Sequence, residues 1–208
     1  ILKSTVMDEF KYNMSEIPLF PLPLVLFPGG RLPLKIFETR YLDMIKRCMR
    51  DNAGFGIVMI EEGSEIIDDH ETQPEISSQG TYSTVVDFDQ HSNGMLGIMT
   101  EGQAKFVIRE IYEQSDHLLM AEVGFLEQEE ESILPDHKVH LVTILQSLMK
   151  NEWVSRLNYE VDFNAAGEVG ARLIELLPFG NKVKQQLFEM RNPIVRLDEL
   201  DRIIAKMQ

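Results

Sequence analysis

Cysteine occurs once in these 208 residues, at Cys48, and tryptophan once, at Trp153. A single thiol cannot close an intrachain disulfide, so the fold must rest on packing and hydrogen bonding, and such usage fits a reducing compartment. Long apolar runs are also missing. The longest is too short and too rich in proline to span a bilayer as a helix. No basic, apolar and small-residue leader opens the chain. These absences predict a cytoplasmic protein that does not engage a membrane.

Cations are scarce: 20 Lys and Arg stand against 34 Asp and Glu, a formal charge of −14. Such a field opposes a phosphate backbone, whose binding depends on its neutralisation by Lys and Arg, so nucleic acid is not an expected partner. Catalytic signatures are absent too. No Gly-Lys pair occurs, which excludes the phosphate loop that needs one, and there is no G-x-S-x-G or H-E-x-x-H. His137 and His140 lie three apart at a helix start, but without a third ligand at firm spacing they read as a solvated pair and not as a metal site. Carboxylates are so numerous that no acid/base pair stands out. Neither a catalytic residue nor a cofactor is expected. At 44% apolar and 26% charged, the composition is that of a globular chain with a real core, enough for one large domain or two small ones.

What is present begins with "IPLFPLPLVLFPGG". The twelve residues from Ile17 to Pro28 contain nothing polar, and four are proline. Proline fixes φ, removes a backbone donor and pushes the preceding residue towards extended geometry. An apolar extended segment with missing donors suits a sheet edge or the seam of a barrel. Pro28-Gly29-Gly30 is a turn signal, and "RLPLKIF" returns as a short strand. From Glu38 the period becomes helical, with Phe37, Tyr41, Met44, Ile45, Cys48 and Met49 on one face. Cys48 then reads as a small buried hydrophobe. Glu38 suits the helix start and Arg40 a carboxylate partner, both as structural residues.

"FGIVMI" predicts a buried strand. The next nineteen residues carry seven acids and no Lys or Arg, the composition of a solvated excursion. "GTYSTVVDF", "GMLGIMTEG", "AKFVIREIY" and "LLMAEVGFLE" follow as strands of a small antiparallel barrel or strongly curved sheet. Beyond "EQEEESILP" the period is helical: a wide apolar stripe around Val142, Leu145 and Met149, then "NAAGEVGARLIELL", "NKVKQQLFEM" with Asn181 as its N-cap, and "LDELDRIIAKM". The expected division is a peripheral tail over 1–15, a β-rich domain over 16–127, an acidic linker over 128–136 and a helical bundle over 137–208. The fold class is α+β.

"IPLFPLPLVLFPGGRLPLKIFETRYLDMI" resembles the signature of the Lon protease amino-terminal, substrate-binding domain. That family opens with Pro-Leu-Phe-Pro-Leu, then Phe-Pro-Gly, a Pro-Leu pair and Phe-Glu-x-Arg-Tyr. All are here, at Pro18–Leu22, Phe27–Gly29, Pro33-Leu34 and Phe37–Tyr41. "GQAKFVIREIY" stands where the family has an Arg-Phe pair, with Lys105-Phe106 as a departure that keeps charge but not guanidinium geometry. The likeness runs over roughly residues 16 to 207. It implies a PUA-like β pseudo-barrel followed by a C-terminal helical bundle, either stand-alone or part of a longer chain. In the full-length protease this domain precedes an ATPase and a Ser-Lys proteolytic domain, and these 208 residues hold no nucleotide loop. The role it implies is non-catalytic recognition of unfolded or tagged polypeptides, as a substrate-binding or adaptor module. A hydrolase or small-ligand binder would need a cleft between barrel and bundle with convergent titratable groups. RNA binding by analogy with PUA folds is opposed by the charge. A recognition module predicts an exposed apolar patch on the order of several hundred Å². Loop position and adaptable side chains single out Phe27 and Arg31 around the Pro-Gly turn, with Met95 and Met99, as polypeptide-binding residues.

Overall fold

The computed structural model describes residues 14–63, 73–90 and 95–206; the predicted tail falls outside them up to residue 13. Six strands form one sheet: β1 (Met14–Leu22), β2 (Arg31–Ile36), β3 (Phe55–Glu62), β4 (Glu75–Gln90), β5 (Leu96–Glu113) and β6 (Leu119–Phe125). Their order is β2-β5-β4-β3-β1-β6, and β5 also pairs with β6. That last pairing closes β5, β4, β3, β1 and β6 into a five-stranded barrel. β1 and β3 are parallel, and the other pairs are antiparallel.

β1 is the seam that the prolines forecast. Its first half, Met14–Pro18, pairs with β6, and its second half, Leu19–Leu22, pairs with β3. Each half therefore has one laddered side, and Pro18 and Pro21 cost fewer bonds there than in a strand laddered on both sides. Met14 and Ser15, expected in the tail, are already paired in this strand.

One expectation about the strands fails. "GMLGIMTEG" and "AKFVIREIY" are not separate strands but one continuous β5 of 18 residues. Its first half pairs with β2, its second with β6, and β4 runs beside it from Leu96 to Val107. Gly102 allows the passage, because a Cβ there would strike the Phe27 carbonyl and the Thr81 methyl. Beyond the barrel, β2, the start of β5 and the end of β4 project as a three-stranded extension.

Helix α1 (Thr39–Asp51) seals one side of the sheet with Tyr41, Met44, Ile45 and Cys48, which meet Phe20, Phe55, Ile57 and Ile98. Phe37 precedes this helix and is exposed, while Arg40 is buried in its place. The Arg40 guanidinium pairs with Glu38 at 2.8 Å and donates to the His117 carbonyl at 3.0 Å. The helical half comprises α2 (Val139–Met149), α3 (Glu152–Ser155), α4 (Ala166–Leu176), α5 (Asn181–Glu189) and α6 (Pro193–Lys206). α4 lies at its centre, packed on α2, α5 and α6. Asn181 is not the N-cap of α5. Gly180 is, and the Asn181 side chain donates instead to the Pro23 carbonyl at 2.6 Å. α6 begins earlier than its period suggested, at Pro193, whose fixed φ suits a first helical position.

The largest apolar cluster is common to both halves: Val25, Phe27 and Met59 from the barrel side pack with Leu141, Val169, Leu173, Leu187, Phe188 and Leu197 from the helices. Residues 128–136 are no free spacer. Leu134 and Ala166 donate backbone hydrogen bonds to Asn164 and Ser132, and Ile133 bridges Ala165.

Candidate functional site

The Pro-Gly turn is built as expected and used differently. Gly30 N–H donates to the Phe27 carbonyl at 2.9 Å, and Gly29 takes φ +72°, the conformation that favours glycine at the third turn position. The turn is then clamped by the helices. Phe27 N–H donates to Glu175 Oε1 at 2.7 Å, the Pro28 carbonyl accepts from Arg172 at 2.9 Å, and Arg31 Nη1 donates to the Asn158 carbonyl at 2.9 Å. Burial pushes the Glu175 carboxyl up, against the opposing pull of Arg172 and of the Phe27 N–H.

Behind the turn lies a second buried polar group. Lys105 Nζ donates to Glu129 Oε1 and to the Phe188 carbonyl, both at 2.6 Å, while Arg196 grips Glu129 with two nitrogens at 2.7 and 2.6 Å. The Lys105 ammonium sits over the rings of Phe188 and Phe27 at 4.4 and 5.1 Å, and the Arg196 guanidinium lies 5.4 Å from the Phe27 ring. Two cations thus share one carboxylate beside the aromatic faces of Phe27 and Phe188. Burial and the neighbouring Arg196 charge lower Lys105 to about 8, with Glu129 opposing. Burial works against ionisation of Glu129, but Arg196 and Lys105 outweigh it and hold its carboxyl below the ordinary range.

These contacts settle where the predicted residues lie. Phe27 is 1% exposed and stacks edge-on against Phe188 at 5.1 Å, so it cannot meet a polypeptide. Its loop is a surface loop only in sequence; in the fold the bundle covers it. Arg31 is half-buried and occupied, pairing with Glu101 at 2.8 Å besides its bond to α3's flank. Met99 and Met95 are half-buried on the extension, Met99 within β5 and Met95 just before it. The β2–β5 ladder sets Arg31 opposite Glu101 and Pro33 opposite Met99, with Met95 beyond its far end, so the four predicted residues do not converge on one place.

The extension also carries exposed residues that the motif reading passed over. Val86 and Phe88 on β4 are 47% and 59% exposed, and Phe37, just past β2, is 58% exposed. The signal was present in "VVDFD", where acid and apolar side chains alternate. The barrel–bundle junction, where an enzymatic cleft was weighed, is filled by Phe27, Phe188 and the ion pairs. Two depressions, each of about 440 Å³, lie on the barrel away from that junction. One is flanked by Glu16, Glu110 and Glu122, the other by the end of α1 together with Tyr82 and Phe125. Among the described residues no cluster of His, Cys, Asp or Glu is suited to a metal, and no helix is long and apolar enough to cross a membrane.

Barrel, covering helix and clamped bundle define an α+β domain with a projecting sheet on which Val86 and Phe88 are exposed. A family model of the ATP-dependent protease La (LON) substrate-binding domain matches residues 16–206, and the chain belongs to that family. The crystal structure of a Lon N-terminal domain protein from Xanthomonas campestris superposes with a TM-score of 0.70 at 29% identity, covering 89% of this chain and 96% of that one. The N terminal domain of Mycobacterium avium complex Lon protease shares the fold at a TM-score of 0.55 and 16% identity, with the same coverage. In sequence, the chain is 26% identical over 129 residues to the Lon protease of Anaeromyxobacter dehalogenans (strain 2CP-C), and 26% identical over 103 residues to Lon protease 2 of Myxococcus xanthus. Those stretches are 62% and 49% of this chain but only 15% and 12% of the two proteases.

Proposed function

We propose that this domain recognises polypeptide without catalysing a reaction. It would bind unfolded or tagged chains in the cytoplasm through the sheet extension, and neither nucleic acid nor membrane would be a partner. The observation that carries the reading is the exposure of Val86 and Phe88 at the edge of a projecting sheet, with Met95 and Met99 half-buried on the same extension, in a member of a substrate-binding domain family. Aromatic area gives affinity for apolar segments, and methionine adapts to their varied shapes. The net charge of −14 disfavours nucleic acid.

The test is binding to a labelled, permanently unfolded protein, with its folded form as control. Saturable binding to the unfolded form alone is expected. Replacing Val86 and Phe88 together by Ala should weaken it by roughly tenfold or more, from the apolar area removed. Equal binding to the folded control, or no effect of the double substitution, would sink the reading.

A further inference from the structure

The outer edge of β4 between Thr84 and Gln90 has no strand beside it among the described residues. β3 leaves β4 at the Phe55–Ser83 pair, while β5 continues to pair with it as far as Leu96–Gln90. The outer edge of β2 is open too, but it is blunted: Pro33 cannot donate, and Lys35 is a charge of the kind that guards edges. The β4 edge has no proline. Its register breaks once, around Val86, and then runs unbroken from Asp87 to Gln90.

Two rows of side chains end at this edge. On the face covered by α1, Leu34, Ile98 and Phe88 stand in register; Ile98 is buried, and the row stops at an exposed ring. On the opposite face, Pro33–Met99–Asp87 and Lys35–Gly97–Asp89 stop at carboxylates. The Asp87 carboxylate also accepts the Phe88 N–H at 2.9 Å. A side chain thus supplies an acceptor at an edge where no neighbouring strand offers a carbonyl.

We propose that this edge takes an extended polypeptide segment as an added strand, and that the segment it selects alternates basic and apolar residues. The proposal rests on the polypeptide-recognition reading above and names its substrate class. An apolar side chain of the incoming strand completes the row beyond Phe88. Basic side chains stand opposite Asp87 and Asp89, where opposite charges across a ladder are favourable. A cation at Asp87 draws the carboxylate from the Phe88 N–H and frees that donor for the incoming carbonyl. The same acid therefore shuts the edge to strands without a cation. It also disfavours a second copy of this chain, which would set Asp against Asp. Backbone bonds supply affinity and alternate side chains supply choice, as in other strand-addition complexes.

The experiment uses the whole chain and a labelled nine-residue peptide alternating Lys and Val, followed by fluorescence anisotropy. Three comparison peptides are a Glu/Val counterpart and two Lys/Val versions N-methylated at odd or at even positions, which keep every charge and side chain. The Lys/Val peptide should bind at least tenfold tighter than the Glu/Val one. One N-methylated version should lose at least tenfold while the other keeps its affinity, since an edge engages alternate donors. Asp87→Asn should weaken Lys/Val binding several-fold with an unchanged melting curve. Equal affinity of both N-methylated versions and the parent would overturn the proposal. So would tighter peptide binding or dimer formation by Asp87→Asn, which would make Asp87 a guard only. If the unfolded protein still binds while the peptides fail these criteria, only the edge assignment falls. If the unfolded protein fails to bind as well, both readings fall.

Discussion

At the scale of single residues, the buried charges are the most testable feature. Lys105 is lowered to about 8 from an ordinary value of 10.5. Between those pH values the unfolded chain holds more protons than the folded one, so stability should rise with pH across that window. Below pH 8 the fold bears the whole cost of the buried ammonium. The gain is roughly 3 kcal/mol at most, at about 1.4 kcal/mol per pH unit. Lys105→Met should remove this rise and leave Glu129 paired with Arg196. Urea unfolding of both proteins from pH 7 to 10.5 isolates the term as a difference, and parallel curves would refute it. Arg172 and Glu175 make the opposite case. Arg172→Met leaves a buried carboxylate uncompensated and should cost about 3–5 kcal/mol at neutral pH. Burial already raises the Glu175 pKa above its unfolded value, and losing Arg172 raises it further. The stability of the variant should then be greatest at low pH and fall as pH climbs through the folded pKa, so its deficit shrinks towards pH 5.

At the scale of elements, the turn from Phe27 to Gly30 is the joint on which barrel and bundle meet. Its two glycines do different things. A Cβ at Gly29 has space, with its nearest neighbour Arg172 Nη1 at 3.9 Å, but the positive φ is unfavourable to it. Gly29→Ala should therefore cost about 1 kcal/mol. A Cβ at Gly30 would press on the Glu175 carboxylate, the Leu26 side chain and the Phe27 carbonyl. Gly30→Ala should cost more, on the order of 2–3 kcal/mol, because the whole clamp must shift. Thermal melts of the two variants decide it, and an inverted order would show that the clamp is soft. Most elements were legible from period and punctuation: α1, β3 and α4 lie close to where their patterns put them. The continuity of β5 was not, since Gly102 reads as a break in a chain and acts as a point of close approach in a barrel. Asn181 misled for a similar reason. It has the chemistry of a cap, but a carbonyl far away in sequence took its amide.

At the scale of the molecule, the common apolar cluster and the buried ion pairs make barrel and bundle interdependent. We predict one cooperative unit. Native-state hydrogen exchange should give the core amides of β6, such as Ala121 and Val123, the same opening free energy as Leu173 in α4. Two separate plateaus would show that the halves unfold independently. Val86 and Phe88 stand exposed away from this joint, at the edge of the extension, where burial is incomplete because the sheet outruns its covering helix.

Sequence alone determined the class of fold, because proline spacing, turn glycines and hydrophobic period are local instructions that each segment carries by itself. It determined as well the family motif and the formal charge of −14. Tertiary structure alone decided which motif residues are accessible. Phe27 and Arg31 looked like a binding loop and are the joint, while Val86 and Phe88, in an ordinary strand, stand open to solvent. Burial depends on which neighbours cover a residue, and those neighbours can lie 161 positions away, as Phe188 does from Phe27.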